Sequence, residues 1–281
     1  MMRCASMVRN PDSQSAGVCP LRGTASQRIN AKEIWYLLGL FESDGSLSCY
    51  YEKDYIRLDF VIVVEVADAK LTEWVKTTIG YGTVKHLKYS NNPNKLVSRY
   101  ILRSKAIIET LIFKWFEQYP LLTKNKRVCY ARIKESIKHK KIIPLSELEN
   151  ENSLIVPDVE KNPYIKDWII GFIEGDGSFY LSKEKNSVRA EFNICQKNEH
   201  HLLEEIGKIM GLSGKNKVSI KKSGACILTA VSLQDIQSVV NFMCNPERVR
   251  LKGLKKVKFL IWLKELRRNP RYTGLKIPDK Y

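Results

Sequence analysis

Apolar residues recur at helical spacing in DAKLTEWVKTTIG (68–80), where Leu71, Val75 and Ile79 share one face. The stretch EHHLLEEIGKIMG (199–211) repeats the pattern with Leu202, Ile206 and Met210. Strand-like alternation occupies other stretches. In SLSCYYEK (46–53), Leu47, Cys49 and Tyr51 alternate with Ser46, Ser48 and Tyr50. In RLDFVIVVE (57–65), Leu58, Phe60, Ile62 and Val64 alternate with Arg57, Asp59, Val61 and Val63. Period two gives each strand one core face and one open face. The second half offers Ser178, Tyr180 and Ser182, then Arg189, Glu191 and Asn193, as open-face positions. SKAIIETLIFKWF (104–116) and SLQDIQSVVNFM (232–243) are again helical in period.

These stretches form an internal repeat. RLDFVI (57–62) lies over RAEFNI (189–194) at the offset that separates Asp44 from Asp176, and the helical stretches that follow align with a shift of one residue. Each half reads helix, two strands, helix, two strands, helix, helix, an α+β fold. The expected organisation is a leader over 1–30, a first repeat over 31–137, a linker over 138–165, a second repeat over 166–268, and a basic, proline-bearing tail over 269–281 that packs as an extended segment.

Two helices end in an unusual way. LLGLFESDGS (37–46) and IIGFIEGDGS (169–178) finish on carboxylates, although a helix C-terminus carries partial negative charge and favours cations. Small residues recur four apart, Gly39 with Ser43 and Gly171 with Gly175, and so fall on one helical face. Glycine there signals close backbone approach, and the simplest partner is the other copy. Helices packed through these residues would set Asp44 beside Asp176. Two such carboxylates either share a raised pKa or hold a cation. An all-oxygen donor set with no histidine or cysteine nearby suits a hard divalent ion, Mg²⁺. The rival reading, a pair of Asx-turn helix stops, suits a single copy better than two. Glu42 and Glu174, two residues back, either cap and buttress or bind metal.

Charge narrows the partner. The 281 residues carry 47 Lys and Arg against 30 Asp and Glu, a net charge of +17, which points to a polyanion. The open-face side chains are of types that read base edges, and Lys85, Lys88, Arg99, Arg103, Lys217, Lys221 and Lys222 suit phosphate contacts. The halves present different open-face residues, so an asymmetric duplex DNA target is expected. No long uninterrupted apolar window occurs, so no membrane partner is expected. Seven scattered cysteines without a CxxC pair disfavour zinc ribbons and fit a reducing compartment. The first thirty residues, with Arg3, Arg9, Arg22 and Arg28 against Asp12 alone, resemble an organelle transit peptide; a leader without structure or upstream coding sequence read in frame are the alternatives.

The duplicated motif resembles that of LAGLIDADG homing endonucleases in their single-chain form, over about 31–268. The resemblance implies a monomer with two pseudo-symmetric αββαββα halves, motif helices packed at the interface, and antiparallel sheets forming a DNA-binding saddle. It implies site-specific, Mg²⁺-dependent hydrolysis of one phosphodiester per DNA strand at a long target, leaving short 3′ overhangs. Asp44 and Asp176 would be the metal ligands. A lysine reaching toward the scissile phosphate maps to Lys255, and in the first half to Lys126 ahead of Lys124. Gln196 matches a polar position near the attacking water; its counterpart is Glu65 if a one-residue insertion is accepted and otherwise Val64. An intron-encoded protein acting in a mitochondrion or chloroplast is the expectation, the organelle resting on the transit-like composition of the first thirty residues. The alternative function is an RNA-binding maturase that assists splicing of a group I intron. A regulator that binds DNA without cutting has no reason to keep the two clashing acids.

Overall fold

The computed structural model describes residues 30–53, 55–89, 92–147, 159, 162–184, 187–213, 218–279 and 281. Nearly all of the expected leader, and much of the expected linker, fall outside that set.

Asn30 starts the first helix, its side chain accepting from the Lys32 amide. The first half then runs α1 (Ala31–Asp44), β1 (Gly45–Glu52), β2 (Tyr55–Glu65), α2 (Ala69–Ile79), β3 (Thr83–Tyr89) and β4 (Asn92–Leu102). The helix expected over 104–116 is broken into α3 (Lys105–Ile107), a π-helical stretch (Ile108–Ile112) and α4 (Phe113–Gln118), followed by α5 (Lys124–His139). The second half repeats the order with α6 (Ile165–Asp176), β5 (Gly177–Glu184), β6 (Ser187–Lys197), α7 (His200–Ile209), β7 (Ser219–Ile220), β8 (Ala225–Ala230), α8 (Leu233–Met243) and α9 (Leu254–Arg268). The expected linker therefore overlaps the last turn of α5 and the first residue of α6.

Each half folds one four-stranded antiparallel sheet, ordered β1-β2-β4-β3 and β5-β6-β8-β7. The pleat sorts the side chains. Leu58, Phe60 and Ile62 of β2, and Ala190, Phe192 and Ile194 of β6, are fully buried against the helices. The aromatic stack of Phe41, Phe60 and Phe116 ties α1 to the sheet and to α4. Two expectations fail on the open face. Val61 is 2% exposed, because on that face it lies between Ser46 and Ile101 in the central rows of the sheet. Asp59 is also buried, at 8%. The tail is not simply extended either. Pro270–Tyr272 form a 3₁₀ turn, and the buried Tyr272 hydroxyl accepts from the Ala190 amide of β6.

The two halves meet through α1 and α6. A β-carbon on Gly39 would overlap the Trp168 carbonyl and come within 2.7 Å of the Phe172 amide nitrogen. One on Gly171 would overlap the Tyr36 carbonyl. Backbone touches backbone, and only glycine allows it.

Gly171→Ala is therefore expected to destabilise the protein by about 1–3 kcal/mol or more in urea unfolding, as overpacking does. Gly274→Ala is the control. It has open space around it and should stay within about 0.5 kcal/mol of the parent. Equal stability of the two variants would refute the close packing.

Candidate active site

The tight crossing carries the C-terminal ends of α1 and α6 to one place. A β-carbon on Gly175 would meet Ser43 Oγ and lie 3.0 Å from Asp44 Oδ2. Asp44 opens to solvent and Asp176 is half-buried, but the packed helix ends around them remove enough water to shift both. Burial, and then the Asp44 charge, push the Asp176 carboxyl up to about 7 against the pull of Lys255 and Lys126. Burial also raises Asp44, opposed by Lys255 and Lys126 and reinforced by Glu174.

Two lysines supply the cations that the helix ends lack. Lys126 Nζ donates to the Gly45 carbonyl at 2.5 Å. Lys255 Nζ donates to the Gly177 carbonyl at 2.5 Å and to the Gly175 carbonyl at 3.0 Å. The two ammonium groups occupy equivalent places in the repeats, each reaching from the first turn of the last helix of its half. Lys124 does not compete, since its engaged atom is the backbone amide, donating to Glu199 Oε1 at 2.6 Å. Burial pushes both Lys126 and Lys255 down, and the neighbouring carboxylates partly restore them.

Gln196 Nε2 donates to Asp176 Oδ2 at 2.9 Å. Strand register assigns its counterpart. Gly177 pairs with Ile194 and Gly45 with Ile62, so Gln196 corresponds to Val64, which is buried and apolar. Glu65 instead lines a cavity of about 560 Å³ shared with Asp44, Asp68, Lys255 and Lys258. The two carboxylates thus have unequal surroundings.

Glu42 and Glu174 are taken up by hydrogen bonds that hold the site together. Glu42 accepts from the Leu122 and Thr123 amides, the Thr123 hydroxyl and Trp168 Nε1. Glu174 accepts from the Lys252 and Gly253 amides and from the Tyr36 hydroxyl at 2.5 Å. Each acid therefore sits at the N-terminus of the last helix of its own half, where a carboxylate is favoured, and takes one donor from the other half. Two further acids complete the arrangement and were missed in the sequence. Asp68 Oδ1 accepts from the Leu254 amide at 3.0 Å, and Glu199 Oε1 from the Lys124 amide, so each half caps the last helix of the other. Burial pushes the Asp68 carboxyl up to about 6. The available signal was their shared place at the head of the aligned stretches DAKL and EHHL.

The expected nucleic-acid face is mostly open. Ser46, Ser48, Tyr50, Arg57, Lys85, Arg103, Tyr180, Ser182, Lys221 and Lys222 are exposed, and Arg99, Ser178, Arg189, Glu191 and Asn193 are half-buried. Val61 and Asp59 are buried, as described. Lys88 is exposed, but alternation along β3 puts it on the face opposite Lys85. Lys217 lies outside the described residues. Among those residues no helix is long and apolar enough to cross a membrane.

Comparison with known proteins gives matches across both repeats. The family model described as LAGLIDADG endonuclease matches residues 37–137 and 169–266. A Schizosaccharomyces pombe protein named "Probable intron-encoded endonuclease Cox1-I1b" is 27% identical over 260 residues, covering 85% of this chain. The matched region spans 65% of that relative's length. A Dictyostelium discoideum protein named "Probable intron-encoded endonuclease aI3" is 29% identical over 183 residues, 63% of this chain and 74% of the relative. Among solved structures, the LAGLIDADG homing endonuclease I-GzeII in complex with its DNA target superposes with a TM-score of 0.63 at 20% identity, covering 84% of this chain and 89% of that one. I-SmaMI bound to uncleaved DNA in the presence of calcium ions gives 0.62 at 20%, covering 86% and 95%. The fold is the one these proteins share.

Two outcomes follow from the electrostatics. The folded-state pKa of Asp176 lies above its ordinary value of 3.8, so the stability this one group contributes to the metal-free protein is fully present below about pH 4 and is lost as pH rises through about 7. Asp176→Asn should therefore raise the metal-free melting temperature at pH 8, by about 2–4 °C per kcal/mol relieved, and have a much smaller effect at about pH 4. Scanning calorimetry at the two pH values checks this, and an equal effect at both would contradict it. Glu42→Gln should lower the melting temperature at both pH values, because a buried acceptor of four donors is weakened. It should leave calcium binding by titration calorimetry unchanged; lost calcium binding with an intact fold would return Glu42 to the metal ligands.

Proposed function

The chain belongs to the LAGLIDADG endonuclease family, and on that basis we propose that it is a monomeric, site-specific DNA endonuclease that hydrolyses one phosphodiester in each strand of a long, asymmetric duplex target. The observation that carries this reading is the pairing of Asp44 with Asp176 between Lys126 and Lys255, on a chain of net charge +17. The names of its relatives, which are called intron-encoded endonucleases, support an intron-borne gene and an organellar site of action, mitochondrion or chloroplast.

The donor set fits a divalent ion, and we assign magnesium. Among the described residues no group of three or more His, Cys, Asp or Glu side chains gathers at one point. Two carboxylates with open space beside them match an ion that takes few protein ligands and completes its shell with water and phosphate oxygens. When bound by Asp44 and Asp176, it would polarise the scissile phosphate and stabilise the attacking and leaving oxygens. The chain's own groups do the remainder. Lys126 and Lys255, anchored on backbone carbonyls beside the aspartates, offset charge that develops on the phosphorus oxygens. Gln196 fixes the orientation of the Asp176 carboxylate, and its own carbonyl accepts from the Lys197 amide. Val64 gives Asp44 no such partner, so the two strands are cut at unequal rates.

On a supercoiled plasmid carrying the target, the parent should give linear product in magnesium and none in EDTA. Asp44→Asn and Asp176→Asn should each cut double-strand cleavage by more than about 100-fold, and Lys255→Met by about 100-fold. Gln196→Val should slow one strand and let nicked circles accumulate. Unimpaired linearisation by both aspartate variants would sink the assignment.

A further inference from the structure

We propose that Arg103, oriented by the buried carboxylate of Asp59, reads a guanine in the arm of the target bound by the first half, an inference that rests on the DNA-endonuclease reading above. Ser48 pairs with Asp59 across β1 and β2, and Phe60 pairs with Leu102, so the next position on β4's course brings Arg103 level with Asp59. Arg103 Nε lies 3.3 Å from Asp59 Oδ1, and the Tyr50 hydroxyl lies 3.4 Å from the same oxygen. The Asp59 side chain is 11% exposed and that of Arg103 is 61% exposed. The ion pair reaches the guanidinium at Nε, and most of the Arg103 side chain is open to solvent.

Such a pair suits a base edge better than a phosphate. The carboxylate cancels most of the charge that a phosphate would seek, while the fork keeps two parallel donors. Guanine presents two acceptors, O6 and N7, in the major groove; adenine presents one acceptor beside a donor. This moves Arg103 from the phosphate contacts expected from the sequence to base recognition, with Asp59 as its positioning residue. Arg57 differs, because its partner Glu52 is itself exposed and the pair is open to solvent. The equivalent place in the second half is built differently. Glu191 stands where Asp59 does but accepts from Asn193 Nδ2 at 2.7 Å, and the residue after the Phe192–Ala230 pair is Val231. This particular contact therefore has no counterpart at the equivalent place of the second half.

The test is selection of bound sites from randomised duplex DNA, with calcium as the only divalent ion, for the parent, Arg103→Gln and Asp59→Asn, each checked for folding by its melting temperature. The parent should enrich a site with one guanine that Arg103→Gln loses, by roughly 5- to 100-fold in discrimination, while the other positions and the salt dependence hold. Asp59→Asn should weaken preference at that same position alone. Uniform weakening by Arg103→Gln across all sequences, with a salt slope lower by about one, would make Arg103 a phosphate contact and overturn the proposal. An unchanged guanine preference in Asp59→Asn would remove the positioning role. A parent that enriches no site would defeat the endonuclease reading itself, an outcome distinct from either.

Discussion

Where α1 crosses α6, the Tyr36 carbonyl occupies the space that any side chain on Gly171 would need, and the Trp168 carbonyl does the same to Gly39. This backbone contact determines what can happen at the helix ends. Helices held apart by ordinary side chains would leave Asp44 and Asp176 too distant to sense one another, and neither would depart far from a surface aspartate. Close approach makes them one electrostatic unit. The repulsion is then met by Lys126 and Lys255, which also satisfy carbonyls at the two helix ends. A cation at a helix C-terminus is favourable by itself, so each lysine stabilises the fold and the carboxylate at once.

The same crossing explains why the conserving of chain continuity between halves is not what joins them. The Trp168 indole donates to Glu42 and the Tyr36 hydroxyl to Glu174, equivalent bonds made in opposite directions across the interface. Asp68 caps α9 and Glu199 caps α5, again exchanged between halves. Removing either half would leave buried carboxylates and helix N-termini without partners, which is costly. The halves are repeats in sequence but one cooperative body in energy.

What the sequence made legible follows from the range of each interaction. The glycine spacing, the paired aspartates and the helix-strand order are local patterns, and duplication separated them from chance. The role of Glu42 and Glu174 stayed open because their donors, Leu122, Thr123, Lys252 and Gly253, lie far along the chain. Asp68 was invisible as a cap for the same reason, since the Leu254 amide it accepts from is 186 residues away. Val61 and Lys88 misled for another reason. Alternation predicts which face a side chain takes, but not whether neighbours in the row cover it, and an approximate strand register can misassign one position.

A single chain frees its two halves to differ: strands β3 and β4 are longer than β7 and β8, and side chains differ at the site and on the open face. Val64 stands where Gln196 orients Asp176, and Glu191 with Asn193 stands where Asp59 holds Arg103. Neither difference touches the glycine crossing or the exchanged caps. Positions on the open face and at the edge of the site carry little of the packing between halves, so side chains there can differ without disturbing it. At the crossing, one carbon added to Gly39 or Gly171 would meet the facing backbone and push the helices, and with them the paired acids, apart. Recognition can therefore change by single substitutions while the chemistry stays fixed by the contact beneath it.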